Sequence, residues 1–153
     1  ASLFDSYYTS SSGKRFRTDY ANNYLFNLLG GKEFQVGKNK NNIISINGKF
    51  IFNGGQRYTP IDFEASKITN TEVYDYDKIN TKQFKPYYRI DLGFNYKLNT
   101  RNVTHTFQLD IQNISNNKNP TNTSYDIENR AVLIDRQLGL LPFVSYKIDF
   151  STK

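Results

Sequence analysis

The sequence contains no cysteine and a single histidine, and these two facts exclude several kinds of site. Without cysteine there is no disulfide framework, no thiol nucleophile and no thiolate metal site. A single histidine also excludes the histidine clusters that usually hold zinc. We therefore expect no metal and no cofactor.

Long hydrophobic runs and clustered charge are also missing. No stretch of about 18 apolar residues occurs, so no transmembrane helix is predicted, and no signal peptide opens the chain. The net charge is +6, but the basic residues are spread along the chain, which argues against a nucleic-acid partner. The sequence shows no nucleophile–base pair, no phosphate-binding glycine loop and no pair of positioned acids. We expect that the protein is not an enzyme.

Aromatic residues are abundant, at 16% of the chain, and many lie in segments where apolar and polar residues alternate. In YYRIDLGFNYKL (87–98), every second residue from Tyr88 to Leu98 is apolar or aromatic, and the intervening residues are mostly polar. A period of two is typical of a β-strand with two unlike faces. The same alternation recurs in residues 42–52, 104–112 and 143–150.

This alternation assigns the residues of the four segments to two faces, and the apolar face is predicted to contact lipid while the polar face lines a lumen. The apolar face consists of Ile44, Ile46, Phe50, Phe52, Ile90, Leu92, Phe94, Tyr96, Phe107, Leu109, Ile111, Val144, Tyr146, Ile148 and Phe150. The polar face consists of Ser45, Asn47, Lys49, Arg89, Asp91, Asn95, Lys97, Gln108 and Asp110. The alternative is a soluble or cell-surface all-β ligand-binding module that turns the apolar face inward.

Three features favour a transmembrane β-barrel over the soluble module. Each alternating segment is close to the roughly 9 to 11 residues that a tilted strand needs to cross a bilayer. Aromatic residues stand at the strand ends, as in the girdles of membrane barrels. The connections at 36–42 and 99–103 are short, whereas 53–86 and 113–131 are long and polar, and outer-membrane barrels alternate in this way.

Residues 19–31 can be interpreted as a short helix that ends at Gly30 or as a strand with Tyr24, Phe26 and Leu28 on one face. We prefer the strand because its neighbours are strands. The predicted fold is then all-β, with about six long antiparallel up-and-down strands that form part of a transmembrane β-barrel. Single-chain barrels begin at about eight strands, so we expect that the chain is a fragment of a larger barrel, one piece of an assembly, or not a membrane protein.

Seven segments, taken in order, resemble the C-terminal barrel region of TonB-dependent outer-membrane receptors of the Bacteroidetes type. Together they cover nearly the whole chain, and it is their order that makes the resemblance fairly specific. They are SLFDSYY (2–8), NYLFNLLGGKEFQVGKNKNN (23–42), GGQRYTPID (54–62), VYDYD (73–77), YYRIDLGFNYKLN (87–99), THTFQLDIQNISNNKN (104–119) and SYKIDF (145–150).

The resemblance implies that residues 1–153 are the C-terminal segment of a barrel of about 22 strands around a plug domain. The plug and the TonB box are absent from this chain. The implied function is to supply wall, lumen lining and extracellular loops to a transporter for nutrient uptake in the bacterial outer membrane. The implied partners are outer-membrane lipid, the remaining barrel strands and plug, TonB through the plug, and a surface lipoprotein.

The last predicted strand also fits the resemblance, because barrels of this kind end in an aromatic-rich strand that closes with phenylalanine. Tyr146, Ile148 and Phe150 match that pattern, and we expect this strand to pair with the first strand of the barrel. Residues 151–153 depart from it, since a strict signal would end at the phenylalanine.

Four groups of residues are candidate sites. Arg57 and Tyr58, in GGQRYTP, could contact substrate; the interpretation we favour is that the glycines form a turn and Arg57 pairs with lumen carboxylates. The charged residues of the polar face, from Arg89 to Asp110, are expected to form cross-strand ion pairs and to bind the plug. His105 could be a ligand or proton site, but we favour an aromatic residue at the membrane interface. Residues 75–86 loosely resemble a calcium loop that lacks its glycine and glutamate, and we do not expect calcium binding.

Overall fold

The structure is a computed structural model that describes residues 1–150, and these are mostly β-strand. Residues 151–153, where the departure from a terminal phenylalanine falls, lie outside the described residues. The helix α1 spans Phe63–Thr69 and a 3-10 turn spans Tyr76–Lys78. The strands are β1 (Ser2–Phe4), β2 (Tyr7–Thr9), β3 (Arg15–Arg17), β4 (Asn23–Val36), β5 (Asn42–Asn53), β6 (Arg57–Tyr58), β7 (Lys82–Gln83), β8 (Tyr87–Asn99), β9 (Val103–Gln112), β10 (Pro120–Asp126), β11 (Ala131–Arg136) and β12 (Leu141–Phe150).

Six strands form one antiparallel sheet in the order β1-β4-β5-β8-β9-β12. The predicted all-β class and the sheet of six strands are confirmed, although β1 has only 3 residues whereas the other five have 10 to 14. The strand interpretation of residues 19–31 is also confirmed, because most of that segment lies in β4. The helix alternative was wrong.

The register of the sheet is continuous across its last three strands. Strand β8 pairs with β9 from Leu92↔Ile111 to Asn99↔Thr104, and β12 pairs with β9 from Leu141↔Gln112 to Phe150↔Val103. Neither ladder contains a bulge, so the alternation of each strand stays in phase with that of its neighbour. The two faces predicted from single strands are therefore continuous across β8, β9 and β12.

The two short connections are turns, as their polar sequences predicted. Gly37 has a φ of 88°, a left-handed conformation that glycine adopts without steric cost. In the second turn, the Thr100 backbone amide donates to the Val103 carbonyl at 2.9 Å. The Asn99 amide donates to the Asn42 side-chain oxygen at 3.0 Å, so one polar side chain links the two turns.

The two long connections contain regular structure that the sequence analysis did not predict. Residues 53–86 contain β6, α1, the 3-10 turn and β7, and residues 113–131 contain β10 and the turn that connects it to β11, with which it forms a hairpin. Their elements are short and are held by side-chain caps, which a search for long periodic runs cannot find. Asp62, for example, caps α1 by accepting from the Ala65 amide at 3.0 Å.

The turn of the β10–β11 hairpin is stabilised by a single carboxylate, that of Asp126. Asp126 accepts from the backbone amides of Glu128 and Asn129 at 2.9 and 3.0 Å and from the Asn129 side chain at 2.7 Å. The Asn129 side chain, with these amides, holds the pKa of Asp126 below its usual range. Arg130 completes the turn in the left-handed region, with a φ of 47°.

The chain divides into two compact units, which we call unit 1 and unit 2. Unit 1 contains residues 1–26, 52–88 and 118–138, and unit 2 contains residues 27–51, 89–117 and 139–150 of the described chain. The buried hydrophobic side chains among the described residues are Ala21, Phe84 and Tyr125, all in unit 1. Unit 2 therefore has no buried hydrophobic core of its own.

The side chain of Asn119, in unit 1, forms the backbone hydrogen bonds that a neighbouring strand would otherwise provide. Asn119 is only 1% exposed. Its side-chain oxygen accepts from the Tyr88 amide at 3.2 Å, and its side-chain nitrogen donates to the Tyr88 carbonyl at 3.0 Å. The carboxamide thus satisfies both backbone groups of the first part of β8, as a paired strand would.

We predict that Asn119→Ala lowers the free energy of unfolding by roughly 1–3 kcal/mol, because it removes two hydrogen bonds between the buried Asn119 side chain and the Tyr88 backbone, each worth about 0.5–1.5 kcal/mol. Urea unfolding monitored by circular dichroism measures the change. The control is Asn102→Ala, at an exposed turn position, which should stay within about 0.5 kcal/mol of the wild type. Equal effects of the two substitutions would contradict the role assigned to Asn119.

Candidate functional site

The residues predicted to face lipid lie in rows across the strands of unit 2. The register places Phe94 opposite Leu109 and Tyr96 opposite Phe107. On the other side of β9, Tyr146 lies opposite Phe107, and their ring centroids are 4.7 Å apart. Cross-strand contacts of this kind are the usual source of stability on a sheet face.

This apolar face is largely exposed, and the rest of it is half-buried. Phe94 is 40% exposed, Leu109 38% and Val144 81%, although all three are large hydrophobic side chains. Of the predicted residues only Phe52 belongs to unit 1, where its ring lies 5.4 Å from that of Tyr24. Within unit 2 no second layer of described residues buries the face, and the edge strand β12 is exposed at all of its positions.

The opposite face of unit 2 carries the residues predicted to line a lumen. A side chain added at Gly93 would meet the polar ends of Asn47 and Asp110 at 2.5–2.7 Å, so these two residues converge on the space that the glycine leaves open. Glu33 accepts from the Ser45 hydroxyl at 3.0 Å on the same sheet. An open groove of about 840 Å³ runs along this face.

The expectation of cross-strand ion pairs on the polar face was wrong. The acid–base pairs found there among residues 1–150 lie along single strands: Arg89 contacts Asp91 at 2.9 Å and Lys147 contacts Asp149 at 2.8 Å. The register explains this, because Lys97 is opposite Thr106 and Asp110 is opposite Gly93. No base on β8 therefore has an acid directly across from it.

Asp91 is the most connected residue of the polar face. One carboxylate oxygen receives two hydrogen bonds from Arg89, at 2.9 and 3.1 Å. The other accepts from the backbone amide of Asn113 at 2.9 Å, at the point where β9 ends. Asp91 therefore holds the Arg89 guanidinium in place and also stabilises the turn that follows β9.

Two residues of these faces, Phe143 and Lys32, were not predicted from the sequence. Phe143 lies opposite Asp110 and lines the polar groove, which its alternation with Ser145 could have indicated. Lys32 lies between Gly31 and Glu33, both of which contact residues of the polar face, so it belongs to the apolar face. The apolar stem of a lysine can lie along such a face while its ammonium reaches water.

His105 lies opposite Ile148, and its Nδ1 is 2.7 Å from the Tyr146 hydroxyl, with the two rings stacked. Residues 1–150 contain no group of three or more His, Cys, Asp or Glu side chains that could hold a metal ion. The structure therefore places His105 in an aromatic pair on the apolar side of β9.

Arg57 and Tyr58 form β6 in unit 1, and the arrangement differs from the one we favoured. Among residues 1–150 no carboxylate pairs with Arg57; its Nε donates to the Ala21 carbonyl at 3.0 Å. Tyr58 stacks on Phe84 with 4.2 Å between centroids. The neighbouring Gly55 is needed for close packing, since a side chain there would collide with the Phe84 carbonyl. Both Arg57 and Tyr58 line a cavity of about 270 Å³, which we call the Arg57 cavity.

The segment that loosely resembles a calcium loop is satisfied internally. Asp75 accepts from the Lys78 ammonium at 2.6 Å, and this contact holds the pKa of Asp75 below its usual range. Asp75 also accepts from the Asp77 amide at 3.2 Å. The Lys78 ammonium thus already pairs with the Asp75 carboxylate, which a bound metal cation would need as a ligand.

The Tyr74 hydroxyl donates to Glu72 at 2.5 Å, and the second oxygen of Glu72 accepts from the Tyr125 amide at 3.0 Å. Hydrogen bonding to Glu72, with burial, raises the pKa of Tyr74 to about 12. The pair therefore joins the segment before the 3-10 turn to strand β10 within unit 1.

We predict that Tyr74 ionises later than an ordinary tyrosine, which titrates near pH 10. Because the folded state holds this proton more tightly than the unfolded chain does, its contribution to stability is complete below about pH 10 and is lost as the pH rises towards 12. Tyrosinate absorbance measures the titration. The Glu72→Gln variant removes the carboxylate charge and should shift the latest-titrating tyrosine back towards pH 10; superimposable curves would contradict the assignment.

No helix within residues 1–150 is long and apolar enough to cross a membrane. Comparison of the chain with protein-family models, with curated proteins and with solved structures finds no match in any of the three.

Proposed function

We propose that this chain is the C-terminal strand segment of a TonB-dependent transporter of the bacterial outer membrane, with a structural and not an enzymatic role. It supplies barrel wall, lumen lining and extracellular loops to a path for nutrient uptake. The observation that carries the proposal is the continuous exposed apolar face of unit 2, in a unit that buries no hydrophobic side chain among its described residues.

Energetics favours lipid as the cover of this face. Burying one large apolar side chain stabilises a protein by roughly 1.5–3 kcal/mol, and contiguous patches above a few hundred Å² are rare on soluble monomers. A soluble β-module would cover the face with a second layer from its own chain, and the described part of unit 2 supplies none. A bilayer covers it without any further protein.

Strand dimensions and sheet edges support the same proposal. Strands β5, β8, β9 and β12 have 12, 13, 10 and 10 residues, enough to cross a bilayer at a tilt. Strand β4 pairs with β1 only from Asn23 to Leu25, so most of its edge is open, as is the outer edge of β12. Open edges are not tolerated in hydrocarbon, and further barrel strands would pair with both.

The remaining surfaces then take roles by their chemistry. The polar groove of unit 2, with Asp91, Asp110 and Gln108, is suited to a hydrated lumen and to contact with a plug domain. The folded connections of unit 1 serve as extracellular loops, where a surface lipoprotein could dock. TonB supplies energy through the plug and makes no contact with this segment.

A matched pair of substitutions tests the assignment of the two faces. We predict that Phe94→Arg, near the middle of β8, abolishes outer-membrane insertion, because arginine on the lipid face at mid-bilayer costs roughly 2–4 kcal/mol. Asn95→Arg places the same charge one residue away on the polar face and should insert normally. Heat-modifiable migration of the outer-membrane fraction measures insertion.

If both variants insert equally well, or if the wild-type protein is a monomer in buffer without detergent, the proposed membrane function is wrong. Loss of insertion in both variants would mean that β8 tolerates no added charge on either face, which also contradicts the face assignment.

A further inference from the structure

The Arg57 cavity in unit 1 contains polar groups that the fold leaves without partners. Its volume is about 270 Å³, and Arg57, Tyr58, Phe84 and Thr123 are among the residues that line it. Every lining residue belongs to unit 1, so the cavity is formed by that unit alone. Drug-sized ligands occupy pockets of about 300–1,000 Å³, so this cavity fits a single small ring.

Arg57 supplies a buried positive charge. It is only 8% exposed, and its Nε is committed to the Ala21 carbonyl. Within residues 1–150 no carboxylate forms a salt bridge with it, and its two terminal nitrogens have no hydrogen-bond partner. These two nitrogens are not among the buried side-chain atoms of residues 1–150 that lack a partner, so they are reachable from the cavity. A ligand carboxylate placed there would form a charge-assisted pair with the guanidinium.

The hydroxyl of Thr123 is a second polar group that a ligand could contact. It is 3% exposed, and its hydroxyl is buried without a hydrogen-bond partner. More than about 90% of buried polar groups in folded proteins are satisfied. Of the four buried side-chain atoms without a partner among residues 1–150, this hydroxyl is the one on a residue that lines the Arg57 cavity, and it is an independent indication that a ligand completes the site.

The charge around the cavity selects the ligand. Arg57 is the only cation among the described lining residues, and Asp19, the only acid, is exposed to water. One guanidinium neutralises one negative charge and presents a planar fork that matches a carboxylate. A phosphate ester carries about −1.5 to −2 at neutral pH, more than this single cation balances.

The rest of the lining suits a ring with hydroxyl groups. The rings of Tyr58 and Phe84, which stack on each other, supply aromatic carbon to the lining, and Gln56 and Asn122 also line the cavity. Pockets of this composition bind the apolar part of a ligand on the aromatic side chains and orient it with a few polar groups.

We propose that the Arg57 cavity binds one acidic sugar unit, with its carboxylate on the terminal nitrogens of Arg57 and a hydroxyl on Thr123. This inference rests on the proposed function and gives it a ligand class: the extracellular loops recognise a carboxylate-bearing saccharide. In this proposal the saccharide contacts residues of β6 and β10, and the polar groove of unit 2 does not bind it.

Glucuronate is the probe, with glucose and inorganic phosphate as comparisons, and each is titrated into the intact protein after its extraction from the outer membrane into detergent. Because charge-assisted hydrogen bonds contribute roughly 1.5–3 kcal/mol, glucose should bind at least about 10-fold more weakly than glucuronate. Phosphate should also bind at least about 10-fold more weakly, since it lacks the ring. Calorimetry or saturation-transfer NMR measures each affinity.

Two variants locate the site. Arg57→Lys keeps the charge but loses the fork, and should weaken glucuronate binding about 10-fold or more. Thr123→Val removes a hydroxyl with no partner in the protein, so it should leave folding unchanged and weaken binding roughly 2-fold to 10-fold. The matched control is Thr18→Val, because Thr18 also has a buried hydroxyl without a partner but does not line this cavity; its affinity should equal that of the wild type.

Equal binding of glucose or phosphate and glucuronate, no saturable glucuronate binding, or equal effects of Thr123→Val and Thr18→Val would each overturn the inference. Membrane insertion is assayed separately, on the outer-membrane fractions of the same variants. A protein that inserts but fails these binding criteria contradicts the acidic-sugar site alone, whereas a protein that does not insert contradicts the proposed function.

Discussion

The structure depends first on the register of β8 against β9. The pairs Phe94↔Leu109 and Asn95↔Gln108 keep like residues on like faces, and a slip of one residue would exchange the two faces completely. The same phase continues from β9 into β12 through Val144↔Leu109 and Ser145↔Gln108. The exposed apolar face and the polar groove of unit 2 both follow from this single alignment, and so does the proposed role in a membrane wall.

The ends of the strands are fixed by side-chain amides and carboxylates. Asp91 holds the backbone where β9 ends, and Asn119 pairs with the start of β8. Asparagine also occupies most of the left-handed backbone positions among the described non-glycine residues, including Asn80 and Asn113. Asparagine tolerates that conformation better than most residues, which gives a physical reason for the asparagine-rich connections of this chain.

Much of the main sheet could be predicted from the sequence because its signal is local. Strands such as β8 carry a period of two over ten or more residues, and each residue's face follows from its neighbours two positions away. The short strands of the polar connections could not be predicted, because two or three residues are too few to show a period of two. Side-chain contacts on the polar face were predicted wrongly for a related reason: pairing Lys97 with an acid requires the register, and the register placed Thr106 there.

The Arg57 cavity was only partly accessible from sequence. Arg57 and Tyr58 could be selected from their motif, but the acceptor for Arg57 is Ala21, which lies 36 residues away. Thr123 carried no sequence signal at all, since its importance comes from burial without a hydrogen-bond partner. A site assembled from distant short strands becomes visible only when the backbone is in place.

The most direct measurement of the central claim uses the absence of native cysteine. A fluorophore is attached to a single cysteine placed at Leu109 or at Gln108, neighbours on opposite faces of β9, in the intact protein in lipid vesicles. Quenching by lipid-chain spin labels should be strong at 109 and weak at 108, with the reverse for a water-soluble quencher. Equal quenching of both positions by the water-soluble agent would contradict the assignment of the apolar face to lipid.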